Sequence, residues 1–369
     1  MIEKGRITSG QMALIMYAST IATGSISLPG ITGQFAGRDF WISPIWASAS
    51  GFLALFLAVG LNRLYPRDNI IGYSRKIIGT IAGSIIGFLY FTTYTHANSF
   101  VLREYGELVK SVFLRDTPIV VVMGSIALLS AVSIRGGLES FARCTQFLFV
   151  PTIVIWLLTL SFTIQDWQPE NIFPIFDHGI LPSLRGAVVQ MNWFSDFFLI
   201  SFLLPGLVDQ KKALRWGVIA IAGAMITLSL INLVTLLVFG EQSINYTFPY
   251  FEVFRYIHLG QFMERIDSFI LAIWVIVIFI KLALYHYAII LSVAEWLKLS
   301  EYNHLSLPWA IILIAFGFWT TTDFPYLIQF FSTKVVFYSH LMQIVIPFIL
   351  LLIAWIRRRR KSGSVVMRR

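Results

Sequence analysis

Cysteine is nearly missing from this sequence: Cys144 stands alone. A disulfide within the chain and a thiolate metal site are both excluded. Within its apolar surroundings Cys144 reads as a small buried hydrophobe. Charge is scarce as well. Only 13% of the 369 residues are Asp, Glu, Lys or Arg, against about 25% in soluble globular domains, and 57% are hydrophobic. An ordinary soluble globule is excluded. The six histidines, His96, His178, His258, His286, His304 and His340, form no pair at metal-ligand spacing with a carboxylate beside it. Phosphate loops, zinc-protease motifs and nucleophile elbows do not occur. No catalytic residue, metal or cofactor is expected, and the chain does not read as an enzyme.

What is present is apolar sequence in lengths that fit a bilayer. Windows of about 20 apolar residues read as membrane spans. Ten occur, at 11–34, 41–61, 77–102, 117–134, 146–165, 184–207, 214–239, 265–297, 306–322 and 335–356. Met1-Ile2-Glu3-Lys4-Gly5-Arg6 leads into the first span without a small-residue cleavage pattern, so a retained anchor is expected rather than a cleaved leader. The net charge of +9 is not a nucleic-acid footprint. Its cations gather in alternate connections: Lys4 and Arg6; Arg63, Arg67, Arg75 and Lys76; Arg135 and Arg143; Lys211, Lys212 and Arg215; Lys298; and the tail from Arg357. The connection from Asp166 to Ser183 carries acids and no Lys or Arg. By the positive-inside rule both termini are cytoplasmic, which requires an even number of spans.

The expected fold is therefore an all-α integral membrane protein of ten transmembrane helices in a five-plus-five inverted repeat. Five is odd, so the second set enters the membrane upside down relative to the first. Residues 1–165 form the first repeat, 166–183 an external connecting loop, 184–356 the second repeat, and 357–369 a basic cytoplasmic tail. That tail reads as a stop-transfer segment and an anchor to anionic membrane lipid. The first span of each set carries the same tripeptide, Leu28-Pro29-Gly30 and Leu204-Pro205-Gly206. Gly and Pro interrupting corresponding segments point to discontinuous first and sixth helices around a midplane ligand site, with Pro29 and Pro205 as the breaks. In the third span, Gly79, Gly83 and Gly87 make a small-residue stripe suited to close helix packing. Trp41, Trp46, Trp167, Trp216, Trp309 and Trp355 stand near span ends, where an aromatic belt belongs.

Candidate ligand-binding residues follow from the two interrupted spans. An unwound stretch at Thr23-Gly24-Ser25-Ile26 would expose backbone N–H groups at the start of a half-helix, a ready site for a carboxylate. Gly24 would allow the backbone itself to touch a ligand. In the sixth span, Gln190, Asn192, Trp193, Phe194 and Asp196 form a polar-aromatic cluster deep in an apolar segment. Carbonyls freed near Asn192 would receive an ammonium, and Asp196 is an intramembrane carboxylate, a costly group that faces a cavity or a partner. Lys281 lies at the centre of the eighth span. It either titrates, coupling the protein to protons, or stays charged and replaces a cation that would hold the broken first helix. Tyr94, within the strip Tyr90, Phe91, Thr92, Tyr94, Thr95 and Asn98, supplies one wall of a small-ligand site.

Several of these residues, taken together, resemble a known family along nearly the whole chain. They are the opening Lys4-Gly5-Arg6-Ile7-Thr8-Ser9-Gly10-Gln11, Gly24 with Leu28-Pro29, and Trp167, Asn171, Pro174 and Gly179 of the external loop. An acid in the sixth span precedes Leu204-Pro205, and Glu264-Arg265-Ile266-Asp267 leads to Trp274, Phe279, Lys281 and Tyr285. The pattern is similar to the permease-like B subunits of nutrient germinant receptors in endospore-forming bacteria, within the amino acid–polyamine–organocation transporter superfamily. The family's Pro-Phe-Gly-Glu stands here as Trp193-Phe194-Ser195-Asp196. The resemblance implies a subunit in the spore inner membrane that works with receptor A and C subunits, binds a small germinant such as an amino acid, and helps trigger germination. A proton-coupled amino acid permease is the alternative. A scaffold whose site no longer binds anything is a third reading.

Overall fold

The computed structural model describes Glu3 and residues 5–256, 267–321, 326, 329–330 and 333–366, without the side chains of Ser27 and residues 360–366. Lys4, His258, the Glu264-Arg265-Ile266 stretch, the Thr322-Asp323 end of the ninth window and the last tail residues lie outside the described residues. Among the described residues the chain is helical throughout, with one isolated parallel bridge between Ile7 and Leu207 and no strand.

The helices are α1 (Ser9–Ala36), α2 (Ser43–Leu64), α3 (Ile70–Ile78), α4 (Thr80–Val112), α5 (Ile119–Arg135), α6 (Gly137–Ser161), α7 (Leu181–Ser195), α8 (Ile200–Leu203), α9 (Ala213–Phe239), α10 (Pro249–Tyr256), α11 (Asp267–Trp296), α12 (Ser306–Thr320), α13 (Val335–His340) and α14 (Ile346–Val366). Seven described helical segments are long and apolar enough to cross a bilayer, and α1 adds an eighth when its two bent halves count as one span. α5 is apolar but shorter, and α4 is long but carries the polar strip from Tyr90 to Asn98. Each of the ten apolar windows thus falls on a helix, eight of which meet the length and hydropathy of a span. Exposed apolar side chains such as Phe147 on α6, Ile311 on α12 and Phe348 on α14 cover the outside. That is the surface a lipid solvent demands.

The packing carries the symmetry that a repeat imposes. α1 packs on α7, α2 on α9, α4 on α11 and α5 on α12, so four helices of the first set meet their counterparts in the second. The exchanged pairs α1 with α9 and α2 with α7 are both present too.

Two local structures differ from the sequence reading. The third window begins as two helices, not one. Gly79, with φ of +94°, ends α3 and starts α4. This is a conformation open to Gly and costly for other residues. Gly83 then lets α4 lie directly against α3, since a Cβ there would stand 2.4 Å from the Arg75 Cα. The helix that exploits the small-residue stripe is therefore the chain's own α3. The fifth span is also longer than its apolar window, because α6 starts at Gly137 and carries the Glu139–Arg143 pair on its first turns.

At the end holding the N-terminus, the segment before α1 is tied to the end of the sixth span. Ile7 donates to the Gly206 carbonyl and Val208 to that of Ile7, at 3.1 and 3.0 Å. Ser9 gives its backbone N–H and its hydroxyl to Asp209 Oδ1. At the opposite end the loop between the halves caps α9, with Gln168 N–H and the Asn171 amide both donating to Leu237 O.

Gly83→Val should destabilise the purified protein by about 1–3 kcal/mol or more through overpacking, lowering its melting temperature in detergent. Gly124→Ala should leave it unchanged, because the nearest atom to a Cβ there is 3.9 Å away. Equal behaviour of the two variants would contradict the α3–α4 contact.

Candidate ligand site between the first, sixth, eighth and tenth spans

Pro29 has no N–H to return to the Ser25 carbonyl, four residues earlier, and a proline inside a helix kinks it. α1 bends by 65° between its Ser9–Ile26 and Leu28–Trp41 parts. Just before the bend, the Trp274 indole of α11 donates to the Ala22 carbonyl at 2.6 Å. In the sixth span the α-helix stops at Ser195, and Asp196–Leu199 continue as a 3₁₀ turn before the short α8. The span tightens at Asp196 without separating into two pieces. Pro205 sits in the closing 3₁₀ turn Leu204–Gly206, at the span's end and away from Asp196.

The two irregular spans meet an ion pair. Lys281 Nζ stands 3.4 Å from Asp196 Oδ2, with 3% and 7% of the two side chains exposed. Isolated charges at such depth are prohibitive, so every available partner matters. Asp196 Oδ2 also accepts from the Tyr285 hydroxyl at 2.6 Å, and Oδ1 accepts from the Gln343 amide at 2.8 Å. Lys281 donates in addition to Thr23 Oγ1 at 2.9 Å, and its ammonium lies 5.6 Å from the Tyr285 ring centre. The Trp193 indole donates to the same Thr23 oxygen at 2.8 Å. One carboxylate and one hydroxyl thereby join α1, the sixth span, α11 and the tenth span.

Gln343 reaches Asp196 from a π turn, Leu341–Val345, which interrupts the tenth span between α13 and α14. Extra-residue turns of this kind concentrate at functional positions. The Tyr90 hydroxyl of α4 donates to the Met342 carbonyl within that turn. A narrow cavity of about 30 Å³ opens beside the pair, walled by Thr23, Tyr94, Asn192, Trp193, Tyr338 and Gln343 among others. Among the described residues, two buried polar atoms on this wall have no hydrogen-bond partner, the Tyr94 hydroxyl and Gln343 Oε1. Buried polar groups are ordinarily paired, so an orphan beside a cavity marks a place for a ligand or a water.

Six residues singled out from sequence come together here: Thr23, Tyr94, Asn192, Trp193, Asp196 and Lys281. The others stand elsewhere. A Cβ on Gly24 would meet Leu228 of α9 at 3.0 Å, so its small size serves helix packing. Ser25 and Ile26 line a different, apolar cavity of about 40 Å³ between α1, α6, α9 and α11. Gln190 donates to Thr32 at 2.8 Å, and Phe194 packs against Gly51 of α2. Sequence reasoning gave no role to Tyr285, Tyr338 or Gln343. Gln343 had a signal available, as an amide inside the apolar run Leu341-Met342-Gln343-Ile344-Val345.

The sequence and the fold have counterparts among known proteins. A family model described as spore germination protein matches residues 6–325. The chain belongs to that family. Spore germination protein KB of Bacillus subtilis (strain 168) is 27% identical over 375 residues, covering 98% of each chain. Spore germination protein A2 of the same organism is 24% identical over 366 residues, covering 96% of this chain and 97% of its own. Among solved structures, MhsT in complex with L-phenylalanine superposes with a TM-score of 0.66 at 11% identity, covering 96% of this chain and 99% of its own. Mhp1, a nucleobase-cation-symport-1 family transporter, in a closed conformation with bromovinylhydantoin bound, gives 0.65 at 11% identity, over 92% and 78%. The family member described here is thus a multi-pass membrane protein with a transporter fold, and not an enzyme.

Asp196→Asn or Lys281→Met alone should each destabilise the protein by about 3–5 kcal/mol, since each leaves one buried charge without its partner. The double variant should recover most of that loss. Thermal unfolding of the four proteins in detergent measures the cycle, and additive losses would mean that the two groups do not act as a pair.

Proposed function

We propose that this protein is the nutrient-binding membrane subunit of a spore germinant receptor, and that its ligand is a small amino acid held between the first, sixth, eighth and tenth spans. The observation that supports this reading is the pair of orphan polar atoms, Tyr94 Oη and Gln343 Oε1, beside the Asp196–Lys281 pair. A free amino acid carries both charges, and the cavity wall has a counterpart for each. Its ammonium would take Asp196 and Gln343 Oε1 as acceptors, and its carboxylate would take Lys281 and the Tyr94 hydroxyl as donors. The narrow cavity favours a small side chain, because an aromatic one would have to displace Trp193 or Tyr338. Asn192 borders the same space. In this reading the chain sits in the spore inner membrane with both termini cytoplasmic, and ligand binding is passed to receptor A and C subunits. A ligand shifts the chain between conformations only by contacting them unequally, and the bent α1 and the π turn are the elements placed to differ.

A proton-coupled amino acid permease is the second reading. It is favoured by the transporter fold and by a buried lysine paired with a carboxylate beside the cavity. Purified chain in vesicles separates the two. A receptor shows saturable, stereoselective amino acid binding without uptake, whereas a permease shows uptake abolished by collapsing the proton gradient. Absence of binding to every amino acid tested would sink both.

Tyr94→Phe gives a sharper test, because it removes a buried hydroxyl that has no partner among the described residues. Its thermal stability should be unchanged or higher, by about 1 kcal/mol. Affinity for the amino acid should fall, by about tenfold for a lost hydrogen bond to a charged group. Calorimetry and thermal shift on the same sample measure both. A stability loss with normal affinity would remove Tyr94 from the site.

A further inference from the structure

Away from the ligand cavity, the basic end of the chain makes a second pocket. Arg63, Leu64, Tyr65 and Pro66 at the end of α2, Lys76 of α3, and Ala354, Arg357 and Arg358 of α14 surround an open cavity of about 740 Å³. Three separate elements therefore converge four cations on one space. Only Lys76 has an acidic partner, Asp68 at 2.5 Å; among the described residues Arg63, Arg357 and Arg358 have none. A cavity this positive repels itself unless an anion enters it. α14 packs on both α2 and α3, so the cations are held together by the fold rather than by their own attraction.

What adjoins the cavity narrows the choice of anion. The residues of α14 that precede Arg357 present an exposed apolar face, Phe348, Ile349, Leu352, Trp355 and Ile356. Arg359 stacks its guanidinium 3.7 Å from the centre of the Trp355 ring, an interfacial arrangement of an aromatic and a cation. A phosphate group with hydrocarbon attached matches both parts, the cations above and the apolar face beneath. Inorganic phosphate matches only the first.

We propose that this cavity binds the phosphate headgroup of an anionic phospholipid, whose acyl chains lie along the exposed face of α14. The bound lipid bridges α2, α3 and α14. This proposal rests on the membrane location of α14 and is independent of what the central cavity binds.

The test uses the full-length chain, stripped of lipid in detergent and then titrated with phosphatidylglycerol, phosphatidylcholine or inorganic phosphate. Retained lipid is counted by native mass spectrometry, and stability is followed by thermal shift. Phosphatidylglycerol should bind and stabilise, and the other two should not. Arg357→Gln/Arg358→Gln should weaken phosphatidylglycerol binding about thirtyfold, and Arg63→Gln, on a different element, about fivefold. Lys211→Gln/Lys212→Gln removes the same charge from an exposed turn at the same end and should change little. Equal losses in the two charge-matched pairs would mean diffuse attraction to a negative surface and would overturn the site. Stabilisation by inorganic phosphate equal to that by lipid would overturn the lipid assignment.

Discussion

Everything at the centre of this molecule depends on keeping one carboxylate and one ammonium buried together. Asp196 and Lys281 stand 3.4 Å apart in a segment of the protein with almost no access to solvent. Coulomb attraction between them barely offsets their desolvation, so such a pair is a poor source of net stability. Its effect is positional. Asp196 needs Tyr285 and Gln343 as further donors, and Lys281 needs Thr23 as a further acceptor. Those requirements fix the register of four spans against one another to within a hydrogen-bond length.

The backbone is irregular where these requirements meet. α1 bends by 65° about a turn beyond Thr23, the sixth span tightens to 3₁₀ at Asp196, and the tenth loosens to a π turn at Gln343. Backbone that departs from the α-helix inside a membrane is tolerated only where protein or a cavity satisfies it. Here the supporting groups are visible: the Trp274 indole on the Ala22 carbonyl, the Ser50 hydroxyl on that of Met191, and the Tyr90 hydroxyl on that of Met342. Outside this layer the long helices α2, α4, α9 and α11 run without a break and serve as its frame.

Composition and charge made the membrane class legible, and the paired Leu-Pro-Gly motif marked the two spans that face each other. The motif was less informative about how each span is interrupted. Pro29 does sit at the bend, whereas Pro205 only closes its span, and the tightening at Asp196 has no proline to announce it. Gly24 shows a second limit. A small residue in a membrane helix serves ligand contact and helix contact equally well, and only the position of Leu228 decides between them. Tyr285 was noted only for the family resemblance and Gln343 not at all, because their role comes from distance to Asp196, which linear order across 89 and 147 residues does not encode. Gly79 escaped because its positive φ belongs to a joint between α3 and α4 that apolar periodicity runs straight through.

The parallel bridge at the start of the chain has a mechanical consequence. Ile7 and Ser9 are bonded to Gly206, Val208 and Asp209, two hundred residues onward. The segment before α1 is thereby a handle on the Gly206 end of the sixth span, the same span that presents Asp196. A force or a bulky fusion applied at the first residues is transmitted along that span toward the buried pair, whereas one applied to the basic tail acts first on α14.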